Sequence, residues 1–171
     1  DNAQNRWPDV MSEMLQLKHK ITNQGVLNLG IGNNRVTVPG GFGALAKERF
    51  DRDILMQNGV KKVIIFEGVN DIGAARSGSS ETVARQIIES IQGMVKKAKA
   101  RKMKVYLGTI TPFKGAGYYT HFHEAARLYV NDWIRSQARN VDGILDFAKL
   151  LQDPNDDRRM KREYASNDWL H

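Results

Sequence analysis

The stretch KKVIIFEGVND, residues 61–71, has the pattern of a short buried strand that ends in a polar turn. A run rich in Val and Ile and bounded by Gly or Asn is typical of a strand inside a sheet. Within this stretch the predicted strand is 61–68. Other runs share the pattern, and they are GVLNLGI (25–31), MKVYLGTI (103–110) and VDGILDF (141–147).

Helical patterns separate these predicted strands. Apolar residues recur at helical spacing over residues 42–57, 80–101 and 118–139. Strands that alternate with helices form a parallel sheet with helices on both faces. The prediction is therefore an α/β protein, a three-layer α/β/α sandwich with a parallel, flavodoxin-like sheet, in which residues 1–171 form one domain.

Composition excludes several kinds of protein. Hydrophobic residues make up 41% of the 171 residues and charged residues 26%, as in ordinary globular domains. Cysteine is absent, which excludes disulfides, thiolate nucleophiles and Cys-ligated zinc. No apolar run is long enough to span a membrane. A secreted or periplasmic location is favoured, with the cytoplasm as the alternative, because a leader can be removed by processing.

The net charge is +7, and much of the excess lies in MVKKAKARKMK, residues 94–104. A basic patch can bind nucleic acid or an acidic polymer. However, no nucleic-acid-binding motif accompanies it, and no aromatic residues lie between the lysines. A solvated helix end is the favoured interpretation, and no nucleic-acid partner is expected.

Polar segments follow the predicted strands, where ligands bind in parallel sheets. They are GNNR (32–35), VNDIG (69–73) and TPFKGAGYY (111–119). The side-chain amide of Asn70 can donate two hydrogens, which suits an oxygen that becomes negative in a transition state. On its own, Asn70 is more typical of a turn residue.

The stretch NDWLH, residues 167–171, places a carboxylate and an imidazole three residues apart. If this spacing lies on one helical turn, Asp168 can hold the ring of His171 in one orientation and tautomer. The pair alone is weak evidence for a catalytic site. Its combination with the polar loops is much more specific.

Together these segments resemble the SGNH, or GDSL-type, esterase and lipase superfamily. GVND (68–71) matches its Gly-x-Asn-Asp block, DWLH (168–171) matches its terminal Asp-x-x-His, and NLGIGNNRV (28–36) resembles its glycine-containing block. Other stretches resemble one bacterial and fungal branch of these enzymes. They are NRWPDV (5–10), ALAKERFDRDIL (44–55), GAGYY (115–119) and EAARLYVNDWIR (124–135).

The resemblance implies a serine ester hydrolase that needs neither cofactor nor metal. In such an enzyme His171 is the general base and Asp168 orients it. The side chain of Asn70 and the backbone N–H of Asn33 stabilise the oxyanion. The residues implied to line the substrate, a small-molecule or carbohydrate ester, are Gly32, Val69 and Tyr118.

Two departures from the family pattern stand out. Asn33 occupies the position of a usual glycine, but Asn tolerates the left-handed backbone conformation well, so the backbone donor is expected to survive. The Gly-Asp-Ser block that carries the nucleophile is absent. The sequence is therefore expected to be an SGNH-hydrolase domain incomplete at both ends, whose N-terminal segment with the serine strand docks between 25–31 and 61–68.

Other interpretations fit less well. GFGALA (41–46) has dinucleotide-binding spacing, but its glycines do not directly follow a strand. HFHE (121–124) would need a histidine where Arg127 stands to form a zinc motif, so surface or substrate-lining histidines are expected there. A binding protein that kept the fold and lost the serine is the alternative function.

Overall fold

The computed structural model of the chain describes residues 6–170. Its contacts divide the chain into two compact units, Asp1–Ile31 and Gly32–His171. Among the described residues, no helix has the length and apolar character needed to cross a membrane.

The first unit begins with helix α1 (Trp7–Glu13), which continues as a π-helical turn, Met14–Lys18. Pro8 lies in the first turn of α1, where the missing N–H costs no hydrogen bond. The carboxylate of Asp9 accepts hydrogen bonds from the backbone N–H of Arg6 (3.2 Å) and from its guanidinium (2.7 Å). These bonds fix the start of the helix.

Residues 25–31 form no strand, so this part of the sequence-based prediction is wrong for the structure. Leu27, Leu29 and Ile31 are 65%, 37% and 39% exposed. An apolar run of this kind becomes a strand only where a neighbouring strand pairs with its backbone and covers its side chains. Local sequence alone does not supply that partner.

The second unit is built on a parallel sheet with the strand order β1-β2-β3. These strands are β1 (Lys62–Ile65), β2 (Lys104–Gly108) and β3 (Gly143–Leu145). Val63 lies opposite Val105, and Leu107 lies opposite Ile144. In the central strand, Val105 and Leu107 are fully buried. All three strands lie inside predicted runs, which confirms those three predictions.

Helices connect and cover these strands. They are α2 (Ala46–Phe50), α3 (Val69–Ala74), α4 (Ser80–Ala100), α5 (His121–Asp132) and α6 (Phe147–Leu151). Helices α2 and α5 continue as π-helical turns, Asp51–Leu55 and Trp133–Gln137. The predicted helical stretches are confirmed, although α5 starts at His121 because the Thr120 side chain accepts a hydrogen bond from the N–H of His123 (3.1 Å).

The longest helix, α4, shows why the chain forms a layered α/β fold. It packs against α2, α3, α5 and β2. Its buried residues recur every three or four positions, and they include Val83, Ala84, Ile87, Ile91, Met94, Val95 and Ala98. This one-sided apolar face pairs the helix with the sheet and leaves the polar face to solvent. The fold is α/β with a parallel sheet, consistent with the predicted three-layer α/β/α sandwich.

A short antiparallel pair follows α6. It consists of β4 (Gln152–Asp153) and β5 (Asp156–Met160). The N–H of Lys114, in the loop after β2, donates to the carbonyl oxygen of Arg158 in β5 (2.8 Å). This bond ties the pair to the loop 111–119.

The peptide of Ile110, just past β2, is held by one buried side chain. Asn131 on α5 is fully buried, and its Oδ1 accepts from the N–H of Ile110 (2.7 Å) while its Nδ2 donates to the carbonyl oxygen of Ile110 (2.8 Å). The amide replaces the strand partner that the backbone has lost at the end of the sheet.

We expect Asn131→Ala to lower the free energy of unfolding by roughly 1–3 kcal/mol, because the N–H of Ile110 loses its acceptor in a buried setting. Urea denaturation followed by circular dichroism measures this change. The control is Asn58→Ala, at an exposed turn position, which should change stability little. Equal effects of the two substitutions would contradict this account.

Candidate active site

The turn between β1 and α3 places the GVND segment at the carboxyl end of the sheet. Gly68 has φ 117°, a conformation that L side chains rarely adopt. A Cβ atom at this position would also lie 3.2 Å from the Ile110 side chain and 3.4 Å from that of Ile87. The glycine therefore allows α3 to begin immediately after the strand, with Asn70 in its first turn.

The side-chain amide of Asn70 is oriented by two contacts. Its Nδ2 donates to the carbonyl oxygen of Asn34 (3.0 Å), and its Oδ1 accepts from the hydroxyl of Tyr118 (3.4 Å). The second hydrogen of the amide has no acceptor among residues 6–170. A half-buried amide with one fixed and one unused N–H is a suitable donor to a ligand oxygen.

Asn33 immediately precedes Asn34, whose carbonyl oxygen accepts the hydrogen bond from the Asn70 amide. Its φ is 54°, the left-handed conformation predicted from the sequence. Its carbonyl oxygen accepts from the N–H of Phe42 (3.1 Å), whereas its own N–H has no acceptor within the described chain. A Cβ at Gly41 would lie 2.3 Å from that carbonyl oxygen, so only glycine fits at this crossing.

The buried carboxylate of Asp71 fixes the loop that follows Asn34. It accepts hydrogen bonds from the N–H groups of Val36 (2.8 Å), Thr37 (2.8 Å) and Val38 (2.9 Å). Charge-assisted bonds to backbone N–H groups are among the stronger hydrogen bonds in proteins. They hold the loop 32–38 against the first turn of α3.

Asn34 and Arg49 form a second buried support. The Asn34 Nδ2 donates to the carbonyl oxygens of Phe42 (2.7 Å) and Ala44 (2.9 Å), and its Oδ1 accepts from Arg49 Nε (3.0 Å). Arg49 Nη2 lies 3.5 Å from Glu67 Oε1. Desolvation by burial raises the pKa of the Glu67 carboxyl to about 7, although the nearby positive charge of Arg49 opposes this shift.

Tyr118 packs on α3. A Cβ atom at Gly73 would lie 2.2 Å from the Tyr118 ring. The ring nitrogens of buried His123 lie 2.5 Å from the carbonyl oxygen of Tyr118 and 2.9 Å from that of Ala75. The expectation of a surface or substrate-lining histidine is therefore wrong at position 123, where the ring joins two backbone segments.

The predicted substrate-lining residues occupy different settings. Gly32 is exposed, and Val69 and Tyr118 are half-buried. Val69 and Tyr118 also pack against the hydrophobic core. A role for these residues in contact with substrate stays a prediction.

Residues 168–170 of the DWLH segment do not form the expected helical turn. Trp169 has φ 59°, and Asp168 Oδ1 accepts from the N–H of Leu170 (2.9 Å) and from the hydroxyl of Ser166. Asp side chains favour such local turns over helix. His171 lies outside the described residues, so its pairing with Asp168 stays a prediction.

The tail is anchored by an indole ring. The guanidiniums of Arg159 and Arg162 lie 4.8 Å and 5.3 Å from the centroid of the Trp169 ring. A Cβ atom at Gly115 would lie 2.8 Å from the same ring. Cation–π contacts and close packing therefore position the residues on either side of Trp169.

Asn33, Asn70 and Asp168 stay predicted site residues, and the structure bonds Asn70 to Asn34, the residue that follows Asn33. Sequence reasoning missed Asn34 and Arg49, whose spacing along the chain gives no local signal. Within residues 6–170, no group of three or more His, Asp or Glu side chains is placed to hold a metal ion.

Comparisons with known proteins bear on the fold of the chain and on its family. A solved structure of a protein described as lipolytic, of the G-D-S-L family, from Desulfitobacterium hafniense matches with a TM-score of 0.65 and 23% identity, over 91% of this chain and 74% of that one. A GDSL-like lipase from Bacteroides thetaiotaomicron matches with a TM-score of 0.57 and 20% identity, over 73% of this chain and 60% of that one. These likenesses show the fold.

A search of curated proteins finds no match. The model of the GDSL-like lipase/acylhydrolase family matches residues 1–171. This match confirms the resemblance drawn from the GVND and DWLH segments. Since it extends over all 171 residues, the chain belongs to the GDSL-like lipase/acylhydrolase family.

Proposed function

We propose that this chain acts as a carboxylic ester hydrolase that cleaves acyl or acetyl esters through an acyl-enzyme. The observation that carries the proposal is the amide of Asn70, held by the carbonyl oxygen of Asn34 with one N–H unused, beside the left-handed peptide of Asn33. Two N–H donors at the carboxyl end of a parallel sheet suit the oxyanion of a tetrahedral intermediate. The substrate is an ester of a small molecule or a carbohydrate.

In this reaction a serine oxygen attacks the ester carbonyl carbon while His171 takes the serine proton. Asp168 orients the imidazole. Asn70 and the N–H of Asn33 stabilise the negative oxygen, which then re-forms the carbonyl and expels the alcohol as His171 returns the proton. A water molecule, activated by the same base, releases the acid from the serine.

The serine itself is proposed to lie outside residues 1–171. None of the serines in this sequence stands in Gly-Asp-Ser. Several are engaged locally: the hydroxyls of Ser79 and Ser80 donate to the carbonyl oxygen of Arg76, and that of Ser136 donates to the carbonyl oxygen of Asp132. Such roles are typical of turn and helix serines.

The alternative function is that of a binding protein that has lost the nucleophile. The absence of Gly-Asp-Ser from the sequence favours it. The retained oxyanion donors argue against it, because a binding site has no need for groups aimed at a transition state.

We expect Asn70→Ala to reduce kcat by about 10²–10³, with little change in KM, because the lost bond matters mainly in the transition state. Asn33→Gly should keep activity, since glycine adopts the same φ and retains the backbone N–H. Hydrolysis of nitrophenyl esters of graded chain length by the full-length protein measures both and shows which acyl group is preferred. A loss in Asn33→Gly as large as in Asn70→Ala would refute the backbone role of Asn33.

We expect His171→Ala to abolish turnover, because the substitution removes the proposed general base, and to leave thermal unfolding largely intact. Turnover of the unsubstituted protein should fall as pH drops through the range in which imidazole binds a proton, at about 6.5 for an unperturbed side chain. Retained activity in His171→Ala would exclude this residue as the base.

Labelling of the native protein with a serine-directed phosphonate, followed by peptide mass mapping, tests the position of the nucleophile. We expect the label on a peptide outside residues 1–171. A label on any serine within these residues would contradict the proposal. Ester binding without label or turnover would instead support the binding-protein alternative.

A further inference from the structure

A chain of polar side chains lies behind the oxyanion donor, and the proposed reaction does not use it directly. It runs from Glu67, just past β1, through Arg49 on α2 to Asn34, whose carbonyl oxygen holds Asn70. Arg49 is 8% exposed and Asn34 is 1% exposed. Burying the charge of Arg49 costs free energy unless the guanidinium is paired, so its partners and its role need to be identified.

Asn34 is the link between the loop and the donor. Its side chain bonds the backbone at Phe42 and Ala44, and its own backbone carbonyl accepts from Asn70. The position of that carbonyl therefore depends on how firmly the Asn34 side chain is held. Arg49 is the group that holds its Oδ1.

Arg49 in turn is held by carboxylates from two elements. Its Nη1 lies 3.1 Å from Asp53 Oδ2, one helical turn later, and its Nη2 lies 3.5 Å from Glu67 Oε1. A guanidinium offers several N–H groups in a rigid plane, which lets it bind both carboxylates and the Asn34 amide at once. A lysine ammonium lacks that planar fork.

We propose that Arg49 and Glu67 are positioning residues for Asn70 that act through Asn34. The inference rests on the proposed function in one respect only, the role of Asn70 as oxyanion donor. The path from Glu67 to the Asn70 amide, one ion pair followed by hydrogen bonds, is independent of that role.

This path responds to pH close to neutrality. Burial raises the pKa of Glu67 to about 7, with Arg49 opposing the shift and Asp71 on α3 adding to it. Below that pH Glu67 is neutral, and Asp53 is the one anionic partner of Arg49 among these carboxylates. Above it Glu67 is ionised, so Arg49 gains a second anionic anchor and holds Asn34 more firmly.

The first test follows the side-chain amide of Asn70 by ¹⁵N NMR in the full-length protein as pH is varied. The titration is done in His171→Ala, which removes the proposed base and its own ionisation. We expect the Asn70 amide signal, assigned by its loss in Asn70→Ala, to shift with a midpoint at about pH 7. The shift should vanish in Glu67→Gln, which keeps the shape of the side chain and removes its charge.

The matched control is Glu124→Gln. Glu124 also forms a buried ion pair with an arginine, Arg127 (2.6 Å), but that arginine contacts the carbonyl oxygen of Ile110 instead of Asn34. The Asn70 midpoint should persist in this control. A midpoint that persists in Glu67→Gln, or its absence when Glu67 is intact, would overturn the proposal.

The second test is kinetic. Arg49→Lys keeps the charge and loses the planar fork, so kcat should fall by roughly tenfold, less than the 10²–10³ expected for loss of the donor itself. KM should stay unchanged, because the positioned bond acts mainly in the transition state. A normal kcat, or parallel changes in kcat and KM, would contradict a positioning role.

If Arg49→Lys fails to fold, Glu67→Gln carries the same kinetic test. A full-length protein without ester turnover would refute the proposed function, and a normal kcat in Asn70→Ala would refute the role of Asn70 as oxyanion donor. The NMR titration would still decide whether Glu67 and Asn70 are coupled, so the two failures are distinguishable.

Discussion

The carboxylate of Asp71 accepts hydrogen bonds from three consecutive backbone N–H groups, those of Val36, Thr37 and Val38, and the candidate site depends on this contact. These three groups have no strand or helix partner, so a buried acceptor is what allows the loop to lie against α3. The contact holds the loop 32–38 against the first turn of α3, where Asn70 donates to the carbonyl oxygen of Asn34. A site assembled from separate loops needs a rigid contact of this kind to hold the loops in place.

The support of the site is unusually polar for a protein interior. Arg49, Asn34 and Glu67 lie behind Asn70, the proposed oxyanion donor, where apolar side chains would have given ordinary packing. Buried polar groups of this kind stabilise a structure only when their hydrogen bonds are satisfied. Here the hydrogen bonds also fix the orientation of the bonded groups, because an amide or a guanidinium donates in a defined plane and an apolar side chain does not.

Much of the fold could be predicted because its signals are local. The apolar runs at 61–68, 103–110 and 141–147 each contain the strand they predict, and the periodicity of 80–101 matches α4 closely. The run at 25–31 fails because pairing is a property of the neighbouring strand and not of the run itself.

The candidate site likewise has features that are local in sequence and features that depend on distant contacts. The place of Asn70 just past a strand and the left-handed backbone of Asn33 could be predicted, since both are local properties. Arg49 and Asn34 could not be predicted, because their importance comes from contacts between the α2 helix and the loop before it. The geometry of Asp168 was mispredicted, because a spacing of three suggested a helical turn.

The conformation of the segment around Asp168 depends on contacts made by Trp169. Trp169 adopts a conformation that a bulky residue rarely takes, and its ring lies against Gly115 and two guanidiniums. The direction of the Asp168 carboxylate therefore depends on contacts from outside the Asp-x-x-His segment. A short peptide with this sequence would not be expected to present its carboxylate in the same direction. A motif search restricted to those four positions overlooks the glycine at 115 and the arginines at 159 and 162, which contact the Trp169 ring.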